Sequence, residues 1–367
     1  MKKILNQIKG FDPILFFSVL VLATMGVLSI YGSSPELAVK QAGFILGGIV
    51  LMFLVSFVDW RVFRENSYLI LTFYFLSLLL LVGLFFFAPE IRDVRRWYEI
   101  GPFLFDPGEI FKIVIIILLA KFFSNRHVEM YKVSHIVLAG FYVLLPTFLI
   151  FRQPDLGSAL IIVIMWIGVL LISGIKLRQF LAICLLGVAL LGVGWSFFLK
   201  DYQKDRVVAF IEPQLDPQGI GWQQAQAQIA IGSGGIWGQG IGSGSQTQLN
   251  LLPLPETDFI FASIAEEMGF VGATILIFAF LVLFWRIFLI VFNSSTNFPR
   301  LFAFGFVVII VTQSFINIGM NLGVLPIIGT PLPLVSYGGS NLLFVFLGLG
   351  ILESIRKDLR GLTKNPI

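Results

Sequence analysis

Apolar runs of bilayer-spanning length recur along the whole chain, and they restrict its fold more than any other feature. A hydrocarbon core of about 30 Å takes roughly 20 helical residues to cross. Because lipid offers the backbone no water, only helices or closed barrels satisfy its hydrogen bonds there. The runs predict an all-α polytopic membrane protein with ten transmembrane helices. They lie at about residues 13–31, 41–58, 68–88, 108–124, 134–151, 157–174, 179–199, 258–292, 301–320 and 338–355.

The composition excludes a soluble domain. Hydrophobic residues make up 57% of the 367 residues, and charged residues only 13%. The net charge of +4 is spread over short loops, so it indicates membrane topology and not nucleic-acid binding. Cys184 is the sole cysteine, so no disulfide forms within the chain. The run at 13–31 favours an uncleaved first helix over a signal peptide, because many spans follow it.

Basic residues in the loops predict the orientation. With both termini in the cytoplasm, most of the 25 Lys and Arg residues lie on the inner side, as the positive-inside rule requires. We therefore expect one integral membrane domain over residues 1–367, with a large extracytoplasmic loop at 200–257 between spans seven and eight. The eighth run, 258–292, is too long for one straight span, so its first turns are expected at the interface or in a cavity.

The longest polar interruption of the chain leads to Asp258, where the eighth run begins. A glutamine-rich part of it predicts an amphipathic helix at the interface. The glycine-rich part at 232–244 is typical of a flexible loop or of a backbone nest for an anion. Thr257 or Asp258 is a suitable helix N-cap. Glu266 and Glu267 add carboxylates to an otherwise apolar run, where an unpaired acid would have a raised pKa and act as a base.

A second polar region precedes the fourth run. Arg92, Arg95 and Arg96 lie on the outer side, against the positive-inside bias, with acids beside them. Arginines there are candidates for binding the phosphates of a substrate, because the guanidinium forms bidentate bonds to phosphate oxygens. The alternative is a solvated loop that neutralises its own charge.

Charged residues also begin two of the predicted helices. Glu109 and Lys112 have the i,i+3 spacing of a self-neutralising pair, and the alternative is contact with substrate in a cavity. Asp155 is placed to cap the sixth helix or to pair with an arginine of the 89–107 loop. The sequence leaves these alternatives open.

Several stretches are long and specific. They are QPDLGSALI (153–161), IAIGSGGIWGQG (229–240), Gln246 to Gln248, TDFIFASIAEEMG (257–269) and NIGMNLGVLPIIGTPLPLVSYGGSN (317–341). Together they resemble the SEDS family, named for shape, elongation, division and sporulation, over essentially the whole chain. Within that family, the short termini, the GTPLPLVSYGGS stretch and the segment DYQKDRVVAFIEPQLDP at 201–217 favour the elongation branch over the division branch.

The resemblance implies a peptidoglycan glycosyltransferase that polymerises lipid II at the outer face of the bacterial cytoplasmic membrane. It implies that Asp258 is the essential acid, which we interpret as the general base, and that Glu109 and Lys112 form a functional pair. One departure is Glu256, which stands where the family commonly has a histidine. That histidine's role does not carry over, and the extra acid beside Asp258 favours either a raised pKa or a divalent cation, Mg or Mn.

The remaining candidates are substrate contacts. For the pyrophosphate of lipid II they are Arg92, Arg95, Arg96, Lys112 and Arg206. Further candidates are Asp155, Gln246, Ser336 and Ser340, with close helix packing as the alternative for the two serines.

The resemblance also implies partners. They are a class B penicillin-binding protein that cross-links the product, other membrane proteins of the elongation complex, and the bilayer itself. A lipid II flippase or transporter is one alternative function, because it too would need many spans and an outer cavity. A non-catalytic scaffold for the cross-linking partner is the other.

Overall fold

The computed structural model describes residues 11–89, 95–101, 103–125, 132–197, 199–212 and 219–364, without the side chains of 191, 202 and 360–364. The described chain is mostly helical, as predicted, with one short antiparallel hairpin that no sequence pattern indicated. The strands are β1 Tyr98–Ile100 and β2 Phe103–Phe105. The helices are α1 Pro13–Ser33, α2 Pro35–Ser56, α3 Arg61–Glu65, α4 Ser67–Phe87, α5 Pro107–Ser124, α6 Val133–Arg152, α7 Leu156–Ile172, α8 Leu177–Phe197, α9 Asp201–Ile211, α10 Ile220–Ser233, α11 Ser245–Gln248, α12 Ile260–Asn293, α13 Asn297–Asn321 and α14 Gly339–Lys364.

Seven of the described helices are long and apolar enough to cross a membrane: α1, α2, α4, α6, α8, α12 and α13. Helix α7 is apolar but has only 17 residues. Helices α5 and α14 are long but carry charged residues such as Glu109 and Glu353. The chain is a multi-pass membrane protein, and the count of ten spans stays a prediction.

Helix α5 lies at the centre of the bundle. Pro107 takes its first helical position, and the Asp106 carboxylate accepts the N–H of Gly108 at 2.8 Å. Nearly every side chain from Pro107 to Phe123 is buried, against α4, α6, α7, α13 and α14. Because neighbours cover it on all sides, charged residues on α5 face protein and not lipid.

Helix α12 is broken at Gly269, where φ is 66° and ψ is −166°. The break confirms that the eighth run is not one straight helix. The break leaves backbone N–H groups of α12 without partners in the helix, and the glycine-rich loop after α10 forms hydrogen bonds with them. The N–H groups of Phe270 and Val271 donate to the carbonyls of Gly235 (2.9 Å) and Ile236 (3.2 Å). The loop therefore continues the hydrogen bonding that the helix loses at its break.

The close approach explains the glycines of this loop. A Cβ on Gly269 would collide with the Gly238 nitrogen and the Ile236 carbonyl, and a Cβ on Gly238 would collide with the Glu267 carbonyl. In the opposite direction, Gln239 N–H donates to the Glu266 carbonyl at 3.0 Å. The predicted 200–257 loop thus contains helices α9, α10 and α11 and a segment bonded to α12. A helix in its glutamine-rich part is confirmed, and its place at the membrane interface stays a prediction.

Replacing Gly269 with Ala is expected to destabilise the protein. Its φ and ψ lie in a region used almost only by glycine, which costs another residue about 1–3 kcal/mol before any collision is counted. The measurement is the thermal unfolding midpoint in detergent. Gly192→Ala in α8 is the matched control, because a Cβ there meets no atom within 4 Å, and its midpoint is expected to stay the same or rise. Equal midpoints for both variants would contradict a strained break at Gly269.

Candidate active site

Asp258 lies in a turn immediately before α12. The expectation that Thr257 or Asp258 caps this helix is wrong, because the N-cap is Phe259, which makes no side-chain cap bond. A different side chain serves the first turn: the Asn321 Oδ1 atom accepts the N–H of Ala262 at 3.1 Å. The turn is closed by the Phe259 N–H, which donates to the Leu254 carbonyl at 3.4 Å. The Asp258 side chain is partly exposed.

The side chains of Arg206 and Asp258 both lie close to Gly329. The guanidinium comes from α9, and its Nη1 atom donates to the Ile328 carbonyl at 3.2 Å. A Cβ built on Gly329 would lie 3.5 Å from Asp258 Oδ2 and 4.0 Å from Arg206 Nη1. Gly329 has a φ of 78°. Asp258, the predicted base, and Arg206, a predicted phosphate contact, therefore lie on the same side of the 328–329 segment.

Five charged residues come together at the starts of α5 and α7, and we call them the charge cluster: Arg96, Asp106, Glu109, Lys112 and Asp155. Four are buried, and the Arg96 side chain is 16% exposed. Arg96 contacts Asp106 at 2.6 Å (Nε to Oδ2) and Asp155 at 3.1 Å (Nη1 to Oδ2). Both readings of Asp155 are confirmed, because its other oxygen caps α7 through the Ser158 N–H at 3.0 Å.

The Glu109–Lys112 pair forms as the spacing predicted. Lys112 Nζ lies 2.8 Å from Glu109 Oε1, and both side chains are fully buried. Asn341 Nδ2 donates to the second carboxylate oxygen of Glu109 at 3.0 Å. The ammonium of Lys112 also lies 5.5 Å from the centre of the Phe344 ring. The charges of the pair are thus satisfied inside the bundle.

Burial and pairing set the ionisation of this group. Burial acts against the charge on Arg96, but Asp106, Asp155 and Glu109 together raise its pKa. Burial alone would raise the pKa of Asp155, and Arg96 and the Ser158 N–H hold it below its usual value. For Asp106 burial outweighs Arg96, so its pKa is raised. Of the two aspartates, Asp155 is thus the one that the arginine holds more firmly ionised.

The segment 336–341 connects the two polar regions. Ser336 Oγ donates to the Thr257 carbonyl at 2.7 Å and accepts the Leu332 N–H at 2.8 Å. Ser340 Oγ donates to the Leu104 carbonyl at 3.0 Å and accepts the Asp106 N–H at 2.9 Å. Both predicted serines therefore bond to backbone, one on the Asp258 side and one on the side of the charge cluster.

Glu266 and Glu267 anchor the glycine-rich loop. Glu266 accepts the Gln246 N–H at 2.6 Å and the Thr247 hydroxyl at 2.7 Å. Glu267 accepts the Gly242 N–H at 3.0 Å. Within the 232–244 stretch that suggested an anion nest, the Gly242 N–H thus points at a carboxylate of the chain itself, and the N–H groups of Gln239 and Gly240 donate to main-chain carbonyls of α12. The side-chain oxygen of Gln246 is buried without a hydrogen-bond partner among the described residues.

The three arginines predicted as phosphate contacts have different environments. Arg92 lies outside the described residues. Arg95 is exposed, and its Nη1 atom donates to the Phe85 carbonyl at 3.3 Å. Arg96 belongs to the charge cluster. All three had the same interpretations from the sequence, because neighbouring positions in a loop do not reveal which side chain turns inward.

Asn317 and Asn321 lie near Asp258 but were not predicted as site residues, although both belong to the 317–341 motif. Asn317 and Asn321 are fully buried on α13, and both amides donate to the Asp258 carbonyl at 3.0 Å. Two amides four residues apart in an apolar helix share one face, which was a usable signal for a common partner.

A divalent ion fits this site only in part. The described residues contain no group of three or more His, Cys, Asp or Glu side chains arranged to hold a metal ion. Magnesium is commonly held by one or two carboxylates together with substrate phosphates. A divalent ion near Asp258 would therefore depend on the substrate for most of its ligands.

The chain also matches known proteins along nearly its whole length. A family model for the cell cycle proteins FtsW, RodA and SpoVE matches residues 9–361. The chain belongs to this family. The peptidoglycan glycosyltransferase MrdB of Escherichia coli K12 is 36% identical over 358 residues, which cover 96% of this chain and 95% of MrdB. The predicted family is thereby confirmed.

Solved structures agree with the fold. The rod shape determining protein RodA of Thermus thermophilus is 28% identical and superposes with a TM-score of 0.71, covering 95% of this chain and 97% of that one. A chain from a peptidoglycan synthase complex, solved for its coordination of polymerization and crosslinking, is 31% identical with a TM-score of 0.80. The match covers 95% of this chain and 98% of that chain. RodA-type proteins among the relatives agree with the elongation branch expected from the sequence.

Proposed function

We propose that the chain is a peptidoglycan glycosyltransferase that polymerises lipid II into glycan strands during cell-wall elongation. The observation that carries the proposal is that the side chains of Asp258 and Arg206 both lie close to Gly329, so that a carboxylate and a guanidinium are found near the start of α12. Relatives named peptidoglycan glycosyltransferase, similar over nearly the full chain, support it.

Strand growth joins an acceptor sugar to a donor. The 4-hydroxyl of an acceptor GlcNAc attacks the anomeric carbon of a MurNAc, and Asp258 takes the hydroxyl proton as the new C–O bond forms. The bond to the lipid-linked pyrophosphate breaks, and the pyrophosphate leaves with the electron pair while Arg206 stabilises its added charge. Because this leaving group is already anionic, no second carboxylic acid has to protonate it, unlike in glycoside hydrolases. Direct attack inverts the anomeric centre.

The other predicted contacts divide by environment. The members of the charge cluster bond to one another, so we assign them to the wall that supports the site. Arg92 and Arg95 stay our candidates for further phosphate contacts, and Gln246 for a sugar contact. A divalent cation, Mg²⁺ or Mn²⁺, held by Asp258 and the substrate pyrophosphate, would supply additional neutralisation of charge.

The proposed topology has ten spans, both termini in the cytoplasm of a bacterium, and Asp258 and the 200–257 loop on the outer face of its cytoplasmic membrane. It is supported by the positive-inside bias and by ten described helices of 17 or more residues, which correspond to the ten apolar runs. A lipid-linked donor reaches such a site from the bilayer, so we expect a groove between helices that opens sideways.

We propose a class B penicillin-binding protein as the cross-linking partner, together with other membrane proteins of the elongation complex. The support is the similarity to a chain solved in a peptidoglycan synthase complex that coordinates polymerization and crosslinking. A polymerase that hands its strand to a cross-linking enzyme has a chemical reason to stay bound to it, because the strand is the cross-linking substrate.

The test is to supply the purified protein with lipid II and separate the products by gel electrophoresis. We expect glycan strands of increasing length, formed with and without added MgCl₂ or MnCl₂ so that the ion requirement is measured in the same experiment. A lipid II flippase would move labelled lipid II between leaflets of a vesicle and form no strands. A scaffold would form none unless the partner's own activity supplied them. Absence of strands in the reconstituted complex of chain and partner would overturn the proposal.

A further inference from the structure

Two buried amides of α13 converge on the peptide of Asp258. The Nδ2 atoms of Asn317 and Asn321 each donate to the Asp258 carbonyl at 3.0 Å. Both side chains are fully buried. An amide inside an apolar helix is costly unless it finds partners, and here both amides direct a donor to the same oxygen.

Asn321 Nδ2 also donates to the Asn317 carbonyl within α13 at 2.7 Å, and the other bonds of the two amides connect the parts that surround the carboxylate. Asn317 Nδ2 also donates to the Thr330 carbonyl at 2.8 Å, beside the Gly329 that Asp258 and Arg206 both approach. Asn321 Oδ1 accepts the Ala262 N–H, which satisfies the first turn of α12. The Asp258 peptide, the helix that follows it and the segment at 329–330 are thus held to one face of α13.

We infer that Asn317 and Asn321 are positioning residues that fix the Asp258 carboxylate for proton transfer by clamping its peptide to α13. The inference rests on the proposed function of Asp258 as the base. Neither amide is placed to touch the reacting atoms, because both act on the main chain. A base must stay within hydrogen-bond reach of the proton that it accepts, and a misplacement of about 1 Å can cost 10²-fold in rate.

Gln313, on the same helix, provides a matched control. It lies one turn before Asn317 on the same face of α13 and is fully buried, but neither atom of its amide has a hydrogen-bond partner among the described residues. Gln313→Leu therefore removes a buried amide from the same helix without removing a bond to Asp258. Its kcat is expected to stay within about twofold of wild type, and its unfolding midpoint to stay equal or rise.

The test compares glycan polymerisation by Asn317→Ala, Asn321→Ala and Gln313→Leu. We expect kcat per folded molecule to fall about 10- to 100-fold in both asparagine variants, with little change in the KM for lipid II. Asn317→Ala leaves the Ala262 bond in place, so it keeps the test valid should Asn321→Ala not fold. The folded fraction is measured by the thermal unfolding midpoint and by size-exclusion chromatography.

The outcomes separate this inference from the proposed function. An Asp258→Asn variant that polymerises normally overturns the proposed base, and the clamp with it. An inactive Asp258→Asn together with a normal kcat in folded Asn317→Ala overturns the clamp alone. A loss of activity that only follows the folded fraction, or an equal loss in Gln313→Leu, also overturns it.

Discussion

Asp258→Asn is expected to lower kcat for glycan polymerisation by about 10²- to 10⁴-fold, the usual contribution of a general base. The amide has nearly the size of the carboxylate but cannot accept the proton of the attacking hydroxyl. The KM for lipid II is expected to change little, because Arg206 and the other phosphate contacts remain. The measurement is the rate of lipid II consumption by purified protein at saturating substrate.

Glu256→Gln is the matched control for this experiment. Glu256 is an acid two residues away in the same turn, its side chain is partly exposed, and its carbonyl accepts the Tyr337 N–H at 2.8 Å through the main chain. Its substitution removes the same charge from the same surface, so an effect of charge alone would appear in both variants. Equal losses in both variants, or a normal rate in Asp258→Asn and Asp258→Ala, would show that Asp258 is not the base.

Local signals in the sequence were sufficient to predict the helices and several of their ends. The aspartate before α7 predicted a cap that the structure confirms, because capping depends on residues close in the chain. The excessive length of the eighth run also predicted a departure from one straight helix. These features depend on neighbours in sequence, and the sequence displays such neighbours directly.

Partners distant in sequence decided the rest. The glycines near 234–244 suggested a nest for a substrate anion, yet they meet the break at Gly269 and the carboxylates of Glu266 and Glu267. A glycine indicates that another group approaches the backbone closely, but it does not show whether that group is a ligand or another part of the chain. Asn317 posed the same difficulty, because its amide bonds to a carbonyl 59 residues away in the chain.

The arginines of the 89–107 loop show the consequence for site prediction. Arg95 and Arg96 are adjacent, and the sequence supported the same two interpretations for both, a contact to pyrophosphate or a solvated loop that neutralises its own charge. In the structure only Arg96 lies between the ends of α5 and α7, where Asp106 and Asp155 bind it. Each aspartate caps its own helix through residues close in the chain, but their shared use of one arginine depends on how the helices pack.

Arg96→Gln is therefore expected to act first on stability. It leaves three buried carboxylates with one remaining cation, Lys112, and removing one partner of a buried ion pair costs about 3–5 kcal/mol. We expect the thermal unfolding midpoint to fall by several degrees, and activity to fall with the folded fraction. Adding Asp155→Asn should recover part of the loss, because Asn removes one uncompensated charge and still caps α7.

Arg95→Gln is the control, since this exposed neighbour changes the net charge of the loop by the same amount. The free energy of unfolding of this variant is expected to change by no more than about 0.5 kcal/mol, as for most surface substitutions. Its KM for lipid II rises if Arg95 contacts phosphate. An Arg96→Gln variant with a normal midpoint and a raised KM would reverse the assignment. It would make Arg96 a substrate contact, and it would leave the buried acids of α5 and α7 satisfied without that arginine.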